Sequence, residues 1–169
     1  MGEQVIVNDV GPRDGLQNQD RVLAVPQRLQ LIDAIRASGL DHIEVGSFVS
    51  AKAVPAMAGT DAVVAGLAVS GVGDYSALIP NMRGYELARA AGVKTVVMVL
   101  YGSEGMARKN VNMSRAQADE VTEAILLQAR QDGIAVIATI GVAFGCPFDG
   151  PVDPGLVADV AGKFLDLGA

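Results

Sequence analysis

The stretch Asp9-Val10-Gly11-Pro12-Arg13-Asp14-Gly15-Leu16-Gln17-Asn18 decides how the chain is read. It follows the apolar run Val5-Ile6-Val7, so Val5–Val10 is expected to be a first strand and the charged residues begin where it ends. A guanidinium and a carboxylate, Arg13 and Asp14, stand side by side between Gly11-Pro12 and Gly15. Pro12 fixes φ and the glycines permit tight turning, so both charges should be presented rigidly. A strand's carboxyl end is where a parallel α/β protein builds a catalytic site. Pro-x-Asp-Gly is also ordinary turn chemistry, and spacing alone leaves a plain surface turn as an equal reading.

Downstream, strand and helix signals alternate, the pattern of a parallel α/β sheet. A helix is expected at about 26–38, with Leu29, Ile32 and Ile35 on one face and Gly39 as its stop. The second strand is Ile43–Gly46, with Glu44 inside it, and a second helix covers Thr60–Val69 before the turn Ser70-Gly71-Val72-Gly73. Tyr75–Ile79 reads as the third strand, Asn81–Ala91 as the third helix and Thr95–Leu100 as the fourth strand. Ser114-Arg115-Ala116-Gln117 is a capping box opening a helix that Gly133 closes. Ile134–Val142 is the fifth strand, and Asp153-Pro154 starts a last helix that ends at Gly168.

Five βα units of roughly 34 residues thus use all 169 residues, whereas a closed (β/α)8 barrel has eight units and about 250 residues. The expectation is a single partial domain over residues 1–169, an incomplete TIM barrel lacking its C-terminal units. Five parallel strands cannot close, and their two edges, expected at the first and fifth strands, should favour self-association. A compact open five-stranded α/β domain is the alternative.

Half of the residues are apolar and mean hydropathy is +0.34, yet no uncharged apolar run reaches the roughly 18 residues of a membrane span. The first residues lack the basic region of a secretory signal, which makes the cytoplasm the expected compartment. A net charge of −6 without a basic tract argues against a nucleic-acid partner. One cysteine and one histidine exclude an internal disulfide framework and a zinc site made of those residue types alone.

The wording of the opening stretch is more specific than its spacing. Val10-Gly11-Pro12-Arg13-Asp14-Gly15-Leu16-Gln17-Asn18 resembles the N-terminal signature of hydroxymethylglutaryl-CoA lyases, in the metal-dependent lyase and condensing-enzyme superfamily of TIM barrels. Ile43-Glu44-Val45-Gly46-Ser47-Phe48-Val49-Ser50 resembles the family's second-strand motif, and Pro80-Asn81 and Lys109-Asn110-Val111-Asn112 look like its loop segments. The resemblance implies a magnesium or manganese ion held by an aspartate, a His-x-His pair and an asparagine; of these only Asp14 is matched, so the ion should bind weakly here. Arg13 would stabilise an enolate, Glu44 would support the Arg13–Asp14 pair, and Asp9 would stand behind them. Gln17 and Ser47 would touch substrate, and Asn110 is either a site residue or a plain loop or cap residue.

Departures are Val45-Gly46, where relatives often carry hydroxyl residues, and Thr139, where they can carry tyrosine. Gly145-Cys146-Pro147-Phe148 looks reactive but matches a fifth-strand segment, not the family's catalytic cysteine loop, so Cys146 is read as a buried, inert thiol. His42 is read as structural or surface, and Arg108 and Lys109 as solvated rather than as coenzyme A phosphate contacts.

The resemblance implies metal-assisted cleavage of 3-hydroxy-3-methylglutaryl-CoA to acetyl-CoA and acetoacetate, as in leucine degradation, with the proton donor beyond Ala169 and the isolated chain inactive. Two other readings stay open. One is another acyl-CoA lyase, an aldolase or a condensing enzyme of the superfamily, although Gly-Leu-Gln after Arg-Asp favours the lyase. The other is a non-catalytic remnant that persists by associating with itself.

Overall fold

The computed structural model describes residues 5–71 and 74–169. Five parallel strands form one sheet in the order β1-β2-β3-β4-β5, each followed by helix: a curled half-barrel, the incomplete TIM barrel expected. The strands are β1 Asn8–Asp9, β2 His42–Ser47, β3 Tyr75–Leu78, β4 Thr95–Tyr101 and β5 Ala135–Gly141. The helices are α1 Val25–Ala37, α2 Thr60–Val69, α3 Met82–Ala90, α4 Glu104–Val111, α5 Arg115–Asp132 and α6 Pro154–Asp166. Sequential order follows from short crossovers: each helix returns the chain to the next position in the sheet. The open edges are β1 and β5, as anticipated.

Local chemistry explains the best-marked ends. Ser114 Oγ accepts the Gln117 N–H at 3.1 Å while Gln117 Oε1 accepts the Ser114 N–H at 2.9 Å, closing the capping box. Gly133 ends α5 at φ +67°, a conformation that a side chain would strain. Asp153 Oδ1 accepts the Gly155 N–H at 2.9 Å, and Pro154 occupies the first turn of α6.

Two expectations need correction, and a third falls only partly on described residues. The first strand shrinks to Asn8–Asp9, paired with His42 and Ile43; Val5, Ile6 and Val7 are exposed because an edge strand has a neighbour on one side only. The segment around Asn110 is not a loop but helix α4, capped by the Ser103 hydroxyl, which accepts the Met106 N–H. The turn at Ser70–Gly73 lies partly outside the described residues, at Val72 and Gly73.

The core fills the space between the sheet's outer face and the helices. Ile43 and Val45 of β2, Ala77 of β3, Val96, Met98 and Leu100 of β4 and Val136 of β5 meet Ile32, Val63, Leu67, Tyr85, Ile125 and Phe164 there. Alternation along β2 therefore turns Glu44 to the concave side, in register with Ser76 of β3. Among the described residues no helix is long and apolar enough to cross a membrane.

A polar knot ties α3 to α5. Asp132 accepts the Tyr85 hydroxyl at 2.6 Å, the Arg89 guanidinium at 3.0 and 3.1 Å, and the Gln128 amide at 3.1 Å. The Tyr85 hydrogen bond first, opposed by burial and then reinforced by Gln128 and Arg89, holds the Asp132 carboxyl below the usual carboxylate range. A depressed carboxylate stabilises the fold while ionised and loses that contribution as pH falls through its folded pKa. Asp132→Asn should therefore lower Tm at neutral pH, with the gap to the parent closing in acid; a gap constant across that range would contradict the assignment.

Candidate active site

The site starts from main-chain geometry. The Val10 carbonyl accepts the N–H groups of Arg13 at 3.2 Å, Asp14 at 2.7 Å and Gly15 at 3.3 Å, so Gly11–Gly15 is one wide helical turn rather than an open loop. Pro12, buried, has no N–H to place, and Asp9 Oδ1 ties down the Gly11 N–H at 2.9 Å. The turn leaves its two charged side chains unequally exposed. Arg13 is 16% exposed and reaches into the half-barrel, whereas Asp14 is 53% exposed.

Arg13 Nε donates to Glu44 Oε1, and Arg13 Nη1 donates to Asp14 Oδ1 at 2.7 Å. The guanidinium is thereby fixed by one buried and one open carboxylate. Burial pushes the Glu44 carboxyl above the usual range; the Arg13 charge and hydrogen bond oppose that, and the nearby Asp14 charge adds to it. Glu44 at 2% exposure is the buried anchor of the pair.

Arg13, Asp14, Gln17 and Asn110 line one cavity of about 500 Å³, with Tyr101 and apolar side chains such as Val49, Ile79 and Val99. Four of the expected site residues thus come together, and Glu44 stands directly behind Arg13. Asn110 donates from Nδ2 to the Tyr101 hydroxyl at 2.8 Å. Ser47 is different: it is buried, its hydroxyl donates to the Leu78 carbonyl at 3.2 Å, and it borders a second cavity of about 450 Å³ beside the start of α2. Asp9 forms no ion pair with Arg13; its carboxylate shapes the turn instead.

Other candidates fall where they were read or nearby. His42 is exposed at the start of β2, Arg108 pairs with Glu104 at 2.8 Å, and Lys109 is exposed. Cys146 is buried and its sulfur accepts the Phe148 N–H at 3.4 Å. Burial raises the thiol, but hydrogen bonds from Ser103 and from the main chain at Phe148 and Asp149 outweigh it and leave it below the ordinary range. Two residues were missed. Tyr101 lines the cavity from the carboxyl end of β4, one residue past the strand read as Thr95–Leu100. Arg28 is buried on α1 at the i, i+4, i+7 stripe it shares with Ile32 and Ile35, and a charge inside that apolar stripe was its signal.

A hard divalent cation takes about six oxygen ligands, and one carboxylate does not make its site. Asp14 is open to the cavity, but among the described residues no three His, Cys, Asp or Glu side chains converge. This chain's donors alone do not fit a resident ion.

Parallel strands alternating with helices, and a charged pair beside a cavity at the strands' carboxyl ends, place the chain in the TIM-barrel class of folds. Within that class the chain belongs to the HMGL-like family, whose model matches residues 4–169. It is 42% identical to (R)-citramalyl-CoA lyase of Chloroflexus aurantiacus, over 99% of this chain and 56% of that protein. It is 43% identical to 3-hydroxy-3-isohexenylglutaryl-CoA/hydroxy-methylglutaryl-CoA lyase of Pseudomonas aeruginosa, over 98% of this chain and 55% of that one. The crystal structure of hydroxymethylglutaryl-CoA lyase from Pseudomonas aeruginosa superimposes with a TM-score of 0.92 at 43% identity, covering 98% of this chain and 55% of that chain. The chain spans about half the length of the curated relatives it matches.

Arg13→Met should destabilise the fold by roughly 2 kcal/mol at neutral pH, because it leaves Glu44 buried without a counter-charge. With the cation gone, the raised Glu44 pKa rises further, so stability is lost as pH climbs through it and regained in acid, where the carboxyl is neutral. Denaturant titrations at two pH values check this; an equal loss at both would refute the coupling.

Proposed function

We propose that this site serves carbon–carbon bond cleavage in a 3-hydroxy-3-methylglutaryl-CoA-type thioester. The observation that carries the reading is the Arg13 guanidinium, fixed by Glu44 and Asp14 on the wall of a cavity large enough for an acyl group. In that reaction the substrate's tertiary hydroxyl loses its proton and becomes a ketone. The adjacent carbon–carbon bond breaks, and its electron pair moves onto the thioester as an enolate. Protonation of the enolate carbon then gives acetyl-CoA, and acetoacetate leaves.

Each residue has a part in this. Arg13 offers a fixed cation where negative charge develops on the thioester oxygen, which stabilises the transition state without reorganisation. Glu44 keeps that cation oriented, and the Asp9-bound turn keeps the main chain still. Gln17 and Asn110 supply amide groups along the cavity for substrate oxygens, whereas Ser47, outside that cavity, steadies the end of β2 through the Leu78 carbonyl. A magnesium or manganese ion, which would polarise substrate oxygens, would use Asp14 as one ligand of a larger set. Cytoplasmic residence is part of the same proposal, supported by the acidic charge and the single unpaired cysteine. So is self-association through the exposed edges of β1 and β5, supported by the exposed Val5, Val7 and Ile137.

The test is a turnover assay on the isolated chain with 3-hydroxy-3-methylglutaryl-CoA and added magnesium or manganese. The expected result is no cleavage above background together with weak magnesium binding by titration calorimetry. A clear rate, or a tight ion site, would mean that the ligand set is complete within this chain. A chain extended to the relatives' length should cleave, and Arg13→Gln in it should abolish turnover; retained turnover would overturn the role given to Arg13.

A further inference from the structure

Arg28 is fully buried, yet none of the ion pairs among the described residues includes it. Its Nη1 donates to the Ala58 carbonyl at 3.0 Å, and its Nη2 donates to the Val45 carbonyl at 3.1 Å and to Thr60 Oγ1 at 3.2 Å. Nε has no protein partner. A buried cation without a counter-charge is expensive, and burial pulls its pKa below the ordinary arginine value. Leucine or methionine would fill the same stripe of α1 at no such cost, so packing does not account for the charge.

What the guanidinium does is hold two main-chain carbonyls at once. One belongs to the turn that leads into α2. The other, Val45, follows Glu44 directly and lies where the pairing of β2 with β3 shifts register between Glu44 and Ser47. Gly46 completes the arrangement. A Cβ at that position would stand 2.6 Å from Arg28 Nη2 and 2.7 to 2.8 Å from Thr60, so the guanidinium occupies the room a side chain would need.

We propose that Arg28 is a positioning residue for the candidate active site. Gripping the Val45 carbonyl from outside the sheet, it sets the rotation of β2 at the irregularity and delivers the Glu44 carboxylate to Arg13. The proposal rests on the reading of Arg13 and Glu44 as the centre of the site, but its test does not rest on turnover.

The measurement is solvent exchange of the Arg13 Nε–H by ¹⁵N NMR in the isolated chain, since that proton is the one held by Glu44. Arg28→Lys keeps a buried cation but loses the planar fork, and it should speed that exchange about tenfold. Ile125→Ala, a destabilising change in the core at α5, should leave the exchange near the parent's. Equal exchange in Arg28→Lys and the parent, or equal acceleration in Ile125→Ala, would overturn the proposal. Gly46→Ser, which displaces Nη2 from Val45, is read in the same way should Arg28→Lys fail to fold. In the double variant the two stability losses should be less than additive because lysine vacates the contested space, and strict additivity would count against it. Fast exchange in the parent itself would remove the Arg13–Glu44 pair, and the site reading would fall first.

Discussion

A carboxylate has been drawn out of water into the concave face of a parallel sheet, and one guanidinium answers it. Glu44 has no other charged side-chain partner among the described residues, and its raised pKa records that burial outweighs the help Arg13 gives. Such a contact holds only if both partners are delivered by rigid main chain, because side-chain entropy would otherwise dissolve it. The structure meets that condition twice. The turn at Gly11–Gly15 is closed on the Val10 carbonyl, and β2 is clamped from outside through Val45.

The rest of the half-barrel can be read as support for that pair. β1 is only two residues long, yet it is registered against His42 and Ile43, which brings the Arg13 turn beside Glu44. The outer core of β2, β3 and β4 against the helices keeps the sheet curled, so residues from successive strand ends share one cavity. Asn110 arrives there on α4, a helix held at its start by Ser103 and, through the Gly105 N–H, by Asp149 of the segment after β5. Tyr101 and Asn110, hydrogen-bonded to each other, line the same cavity as Arg13 and Asp14.

Ser47 and Asp9 show how a motif can name a residue without fixing its part. Both lie in the segments that carry the family likeness, and both sit within reach of the site's main chain. In this structure the Ser47 hydroxyl bonds the Leu78 carbonyl, while the Asp9 carboxylate bonds the Gly11 N–H. Their contribution is to shape the backbone that presents Arg13 and Glu44.

The sequence by itself determined the strand and helix alternation, the capped ends of α5 and α6, the two open edges and the Arg13–Glu44–Asp14 core, because each is written in local chemistry or in a distinctive short motif. Tertiary structure decided the rest: that Val5–Val7 stay unpaired at the edge, that Asn110 rides on a helix and meets Tyr101, and that Arg28 leaves its own helix to hold β2. A strand's length depends on whether a neighbour exists, and a hydrogen-bond partner 30 residues away depends on how layers pack. Neither is encoded in the residues that happen to be adjacent in the chain.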